Sequence, residues 1–195
     1  MHRRFFLTFE SGKVFATPLK IQIMKFFLLL FFTALFSLAL RAQEPTAETS
    51  LSQKKVPSVK LVDMSGKAVN TADLTLNGPV IISFWATWCA PCKKELNTIH
   101  ELYEDWVEET GVTLIAIAID DEKTKSQVAV YVNGKAWDYT VLMDPNWDFK
   151  RAMGVNNVPH TFLVDKNGNI VYSHNNYAPG DEEKLYQELL KLSAK

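Results

Sequence analysis

Apolar residues in this chain fall into a few unbroken runs and several short alternating ones. The run Val80-Ile81-Ile82-Ser83-Phe84-Trp85 has the length and β-branched content of a central strand buried on both sides. Past Thr87-Trp88 the period changes. From about Ala90 to Glu109 apolar positions recur every three to four residues, which predicts an amphipathic helix. Val112 to Ile119 is a second nearly uninterrupted apolar strand, closed by Asp120-Asp121. Strand, helix and buried strand in that order make a βαβ unit with a parallel pair. Upstream, Val59-Lys60-Leu61-Val62 alternates as a short strand, followed by a turn at residues 63–67. Downstream the pattern predicts a helix over about residues 122–132, stopped at Asn133-Gly134. A short strand, Tyr139-Thr140-Val141-Leu142, and a short helix over residues 144–153 follow. Thr161-Phe162-Leu163-Val164 and Ile170-Val171-Tyr172 flank Asp165-Lys166-Asn167-Gly168-Asn169, where Asn-Gly between apolar runs signals a hairpin. Pro179-Gly180-Asp181 opens a last helix with Leu185, Tyr186, Leu189 and Leu190 on one face.

The front of the chain differs. Lys25 precedes the run FFLLLFFTALFSLAL at residues 26–40, and Arg41-Ala42-Gln43 follows it. A basic start, about fifteen apolar residues and a small residue at the boundary describe a secretory signal. A membrane span needs about twenty. The expectation is therefore a signal peptide over residues 1–42 cleaved after Ala42, with an uncleaved N-terminal anchor as the alternative. Residues 1–23 read as an extended n-region or an upstream start-site artefact. Residues 43–56 read as a polar linker, and residues 57–195 as the folded domain. The whole chain of 195 residues carries 21 basic and 22 acidic side chains; without residues 1–42 it keeps 15 against 21, a net charge of about −6. An acidic exported product argues against nucleic acid and anionic lipid surfaces as partners.

Chemistry concentrates at Cys89-Ala90-Pro91-Cys92, which holds both cysteines of the chain. Cys89 falls where a strand hands over to a helix N-terminus. Unpaired backbone N–H groups and the helix dipole there favour a thiolate over the free thiol, whose ordinary pKa is about 8.5. Spacing i, i+3 brings Cys92 within disulfide reach, and Pro91 is tolerated in the first turn. Cys89 at the tip is expected to attack and Cys92, one turn deeper, to resolve the mixed disulfide. A purely structural bridge is the competing reading, but a loop this short restrains the unfolded chain very little.

Trp88-Cys89-Ala90-Pro91-Cys92, with the strand before it and Val158-Pro159 far downstream, resembles the thioredoxin superfamily. The closer likeness is to its extracytoplasmic TlpA/ResA-like branch, and it covers about Val59 to Leu192. The resemblance implies an α/β sandwich, a central mixed β-sheet with helices on both faces. It also implies a cis peptide at Val158-Pro159 facing the cysteines, with neighbouring backbone that pairs with an extended substrate. Substrate-binding positions on this basis are Trp88, Ala90, Pro91, Val158, Pro159 and His160. Whether His160 tunes Cys89 or faces solvent stays open.

Glu95 is the third catalytic candidate, on helical geometry. Stepping about 100° per residue, Ile99, Leu102 and Trp106 lie close to it, and Cys92, Leu96 and Tyr103 share its side. Lys93, Lys94, Asn97, Glu101, Glu104, Asp105 and Glu108 occupy the opposite arc. A carboxyl on the apolar face one turn below Cys92 can take the proton that Cys92 must lose, and burial is expected to favour its protonated form. The competing reading is a helix-start glutamate reaching water. The ResA-like branch carries an acid at this offset, whereas thioredoxin itself has a buried Asp where this chain has Ser83. Trp85 is expected in the core and Trp88 as a partly exposed platform. His100 and His174 read as surface residues without partners, and Asp120, Asp121 and Asp144 as loop caps rather than metal ligands.

The expected function is thiol–disulfide exchange, mainly reduction of exported proteins in the periplasm. The resemblance implies electrons from a membrane thiol carrier and clients such as apocytochrome c, with no cofactor and no metal. The protein is expected to be a monomer that meets the membrane only through a retained N-terminal segment. The same chemistry run as an oxidase or isomerase is the first alternative. A copper or zinc carrier using Cys89, Cys92 and His160 is the second. The residues before Cys89 lack the Pro and Thr arrangement of a peroxiredoxin.

Overall fold

The computed structural model describes residues 54–74 and 78–193; the signal-like segment and most of the linker lie outside them. Seven strands form one sheet: β1 (Lys60–Asp63), β2 (Ala68–Asn70), β3 (Val80–Trp85), β4 (Thr113–Ala118), β5 (Thr140–Met143), β6 (His160–Val164) and β7 (Ile170–Asn175). Their order across the sheet is β2-β1-β5-β4-β3-β6-β7. β3, β4 and β5 run parallel, while β1 and β6 pair antiparallel with β5 and β3. The helices are α1 (Ala90–Thr110), α2 (Ser126–Lys135), α3 (Asp148–Met153) and α4 (Asp181–Ser193). This is the expected α/β thioredoxin-like fold.

β3 is buried along its whole length, so it must be apolar on both faces, and its alternation assigns the helices. Phe84 points to one face and meets Phe149 of α3, ring centroids 5.3 Å apart. Trp85 points to the other and meets Tyr131 of α2 at 5.7 Å and Trp137 at 4.9 Å. Ser83 shares that second face with α1, and α4 packs on α1 through stacked Trp106 and Tyr186 rings at 5.2 Å. Each large side chain sealed in this way contributes about 1.5–3 kcal/mol. α1 ends where Gly111 turns left-handed at φ 66° and its N–H caps Val107. Gly78 must also be glycine, since a Cβ there would sit 2.8 Å from the Gly111 carbonyl oxygen.

Several boundaries differ from the sequence pattern. The helix expected from residue 122 begins at Ser126, because Asp121 accepts from the amides of Lys123 and Thr124 and holds a turn. It also runs through Gly134; the left-handed residue that ends it is Ala136, φ 53°. The helix expected from Asp144 begins at Asp148, since the Asp144 carboxylate caps it by accepting from the amides of Asp148 and Lys150. β2 is an added strand, and β7 extends three residues past Tyr172. Leu102, placed on the apolar arc of α1, is 37% exposed, beyond the reach of the sheet. Lys54 to Val56, the end of the stretch read as linker, run beside the β6–β7 turn, with Val56 N–H on Gly168 and Ile170 N–H on Lys54.

Candidate functional site

The site forms at the carboxyl end of β3. The chain leaves Trp85 through Ala86-Thr87-Trp88 and enters α1 with Cys89 as its N-cap. The Cys89 amide closes the turn onto the Ala86 carbonyl at 3.0 Å. Cys89 and Cys92 are joined by a disulfide, with Cα atoms 5.4 Å apart. The Cys92 amide donates to Cys89 Sγ at 3.3 Å, so an unpaired helix N–H already points at the sulfur that would carry charge. Cys89 is 6% exposed and Cys92 fully buried. An incoming sulfur therefore meets Cys89 first. Ala90 and Pro91 are exposed beside it, and Trp88 is 59% exposed.

The other substrate-binding candidates arrive from β6. That strand pairs with β3 so that His160 lies opposite Phe84. Val158-Pro159, immediately ahead, is thus at the same sheet end as the Cys89 loop, and its peptide bond is cis. Pro159 is buried and its carbonyl accepts from the Asn176 amide at 3.0 Å. His160 is half-buried and stacks on Phe162, with centroids 4.3 Å apart. Burial, and secondarily the neighbouring charge of His174, lowers its pKa below the ordinary imidazole value. Beside Cys89, a cleft of about 260 Å³ opens between Trp88 and α2, lined by Thr87, Gln127, Val130 and Tyr131. Val130 is 68% exposed there.

Glu95 is 1% exposed, one turn below Cys92 on the buried side of α1. It does not reach water. Its Oε1 receives the Thr161 hydroxyl at 2.9 Å and lies 2.8 Å from His174 Nε2. Thr161 in turn lies 2.9 Å from the Ser83 hydroxyl, so Ser83, Thr161, Glu95 and His174 form one polar cluster inside an apolar sheet. Two readings of the histidines need correction. His174 is not a partnerless surface residue but is bonded to Glu95. His100 Nδ1 lies 3.3 Å from Asp138. Sequence reasoning missed Thr161 and His174: counting outward from the hairpin turn would pair Thr161 with Ser173, and only an irregularity in the register at Leu163/Val164 sets His174 opposite Thr161. Asp120 also does more than cap a loop, since it accepts from the Thr87 amide at 2.9 Å and from the Thr87 hydroxyl.

A mixed sheet whose central parallel strand leads into a helix capped by Cys-x-x-Cys, with a cis-proline just ahead of the neighbouring strand, defines a thioredoxin-like domain. A redoxin family model matches residues 51–190, and the chain belongs to the Redoxin family, in the ResA/TlpA-like branch of the thioredoxin superfamily. It is 36% identical over 118 residues to the thiol-disulfide oxidoreductase ResA of Bacillus thuringiensis (strain Al Hakam), a match spanning 60% of this chain and 66% of the relative, slightly less than two thirds of its length. It is 32% identical to the thiol:disulfide interchange protein DsbE of Haemophilus influenzae, over 74% of this chain and 75% of that one. The solution structure of an uncharacterized thioredoxin-like protein from Porphyromonas gingivalis superposes with a TM-score of 0.65 at 46% identity, covering 71% of this chain and 92% of that one.

Proposed function

We propose that this chain is a thiol–disulfide oxidoreductase that acts outside the inner membrane as a protein-disulfide reductase. The observation that carries the reading is the Cys89–Cys92 disulfide at the start of α1, with a helix N–H aimed at the outer sulfur. In the reduced form the Cys89 thiolate attacks a client disulfide. A Cys89–client bond forms, the client bond breaks, and one client sulfur leaves as a thiolate. Cys92 then gives its proton to Glu95 and attacks Cys89 Sγ. The second client sulfur leaves, two electrons have passed to the client, and the Cys89–Cys92 bond is restored. A membrane thiol carrier returns the electrons. Trp88, Ala90, Pro91 and the backbone at Val158-Pro159 hold the client in an extended form. Kinship with a thiol-disulfide oxidoreductase and a thiol:disulfide interchange protein supports the exchange chemistry, and the signal-like run at residues 26–40 supports exported clients, apocytochrome c among them.

The deciding measurement is the reduction potential of the Cys89–Cys92 pair against glutathione. A value near about −270 mV is expected of a reductase, and one above about −150 mV would turn the reading to an oxidase. Insulin reduction that survives Cys89→Ser would defeat both.

A further inference from the structure

Glu95 has one bonded oxygen and one bare one. Oε1 carries both contacts, from Thr161 and His174, while Oε2 is buried without a partner. A buried carboxyl oxygen left unpaired loses its hydration with nothing in return. That cost is understandable if the oxygen has a proton to receive. Thr161 has a single hydroxyl proton; given to Glu95, it leaves the Thr161 oxygen to accept from Ser83. His174 supplies the contact that faces outward, its side chain 14% exposed against 1% for Glu95. Being opposite Thr161 in the β6–β7 register, it holds Glu95 from the sheet edge while Thr161 holds it from inside.

We propose that His174 is a positioning residue for the resolving half of disulfide exchange: with Thr161 it fixes Oε1 of Glu95 and so presents Oε2 to the thiol of Cys92. The proposal rests on the role of Glu95 given above. In that half-reaction the Cys92 Sγ–H proton moves to Glu95 Oε2. The electron pair left on Cys92 forms the bond to Cys89 Sγ, the Cys89–client bond breaks, and the client sulfur departs with its pair. The proton on Glu95 then passes to the departing thiolate.

The test separates the two halves of exchange. The reduced protein is mixed with oxidised glutathione, quenched with acid at intervals, and the Cys89–glutathione adduct is followed by mass. His174→Gln, which keeps a donor but not the reach of the imidazole, should resolve the adduct about tenfold more slowly, a fraction of what general acid–base help supplies, while adduct formation stays within about twofold. In the Glu95→Gln background the same change should add nothing. Wild-type resolution in His174→Gln, an equal loss in both halves, or full additivity with Glu95→Gln would overturn the proposal. If variants at 174 do not fold, the ¹⁵N shift of His174 Nε2 in the wild type decides: it should move between disulfide and dithiol forms, and an unchanged shift refutes the role. Failure of the wild type to form any adduct would defeat the oxidoreductase reading instead.

Discussion

Thr87 is tied to Asp120, 33 residues away in the chain: its amide donates to one carboxylate oxygen at 2.9 Å and its hydroxyl donates to the other. Asp120 is 1% exposed and lies two residues past the end of β4, as Thr87 lies two past the end of β3. The ends of two neighbouring parallel strands are thereby clamped beneath the loop that delivers Cys89. Asp120→Ala should lower stability by about 2–3 kcal/mol, because two donors lose a charged acceptor out of water. It should also slow attack by Cys89, since the N-cap loses its support. Urea unfolding of the oxidised protein and the rate of adduct formation with glutathione check the two effects.

Cys92→Ala leaves the attacking sulfur in place and removes the resolving one. The variant should accumulate covalent adducts with disulfide-containing polypeptides that dithiothreitol releases, while Cys89→Ala should form none. A non-reducing gel of exported extracts treated with each protein gives the answer. Equal adduct with both variants would reverse the assignment of roles.

Trp88 offers a large exposed ring next to Cys89 and one wall of the cleft toward Val130. Trp88→Ala should leave stability within about 0.5 kcal/mol, as surface changes do, yet raise KM for a peptide disulfide several-fold. Equal KM values for the variant and wild type would remove Trp88 from the substrate platform.

Thr161→Val deletes the hydroxyl that joins Ser83 to Glu95 while keeping the side chain's shape. Two buried groups lose a partner, so stability should fall by about 1–3 kcal/mol. The resolving step should slow as well, and adduct formation should not. Thermal unfolding and the glutathione assay report these separately.

The pKa of His160 lies below the ordinary value of 6.5, first through burial and then through the charge of His174. Below pH 6.5 the unfolded chain therefore binds more protons at this position than the folded one, and stability rises with pH through that window. The contribution is fully present above about pH 6.5 and is lost as pH falls toward the depressed folded value. His160→Thr should lose less stability than the wild type between pH 7.5 and pH 5, measured as the urea midpoint at each. An equal or larger loss in the variant would contradict the sign.

Much of the architecture and the redox pair could be read without coordinates. β3 and β4 are buried from both sides and are apolar but for Ser83 and the exposed Thr113, so they stand out as runs; α1 declares itself by its 3.6-residue period, and Asn167-Gly168 marks the last hairpin. Cys89 and Cys92 are local, three residues apart at a strand–helix junction, and Glu95 follows from counting along one helix. Short-range hydrogen bonds blurred the rest. Asp121 and Asp144 cap turns with their own side chains, and these delay α2 and α3 past the apolar pattern. What only the tertiary structure decided is which distant polar groups meet. Ser83 on β3, Thr161 on β6, His174 on β7 and Glu95 on α1 converge because strand pairing and the packing of α1 stack them on one face. No local period records that distance. A polar residue in a strand reads alike whether it faces water or a buried carboxyl, and the difference lies in register and in which face the helix covers.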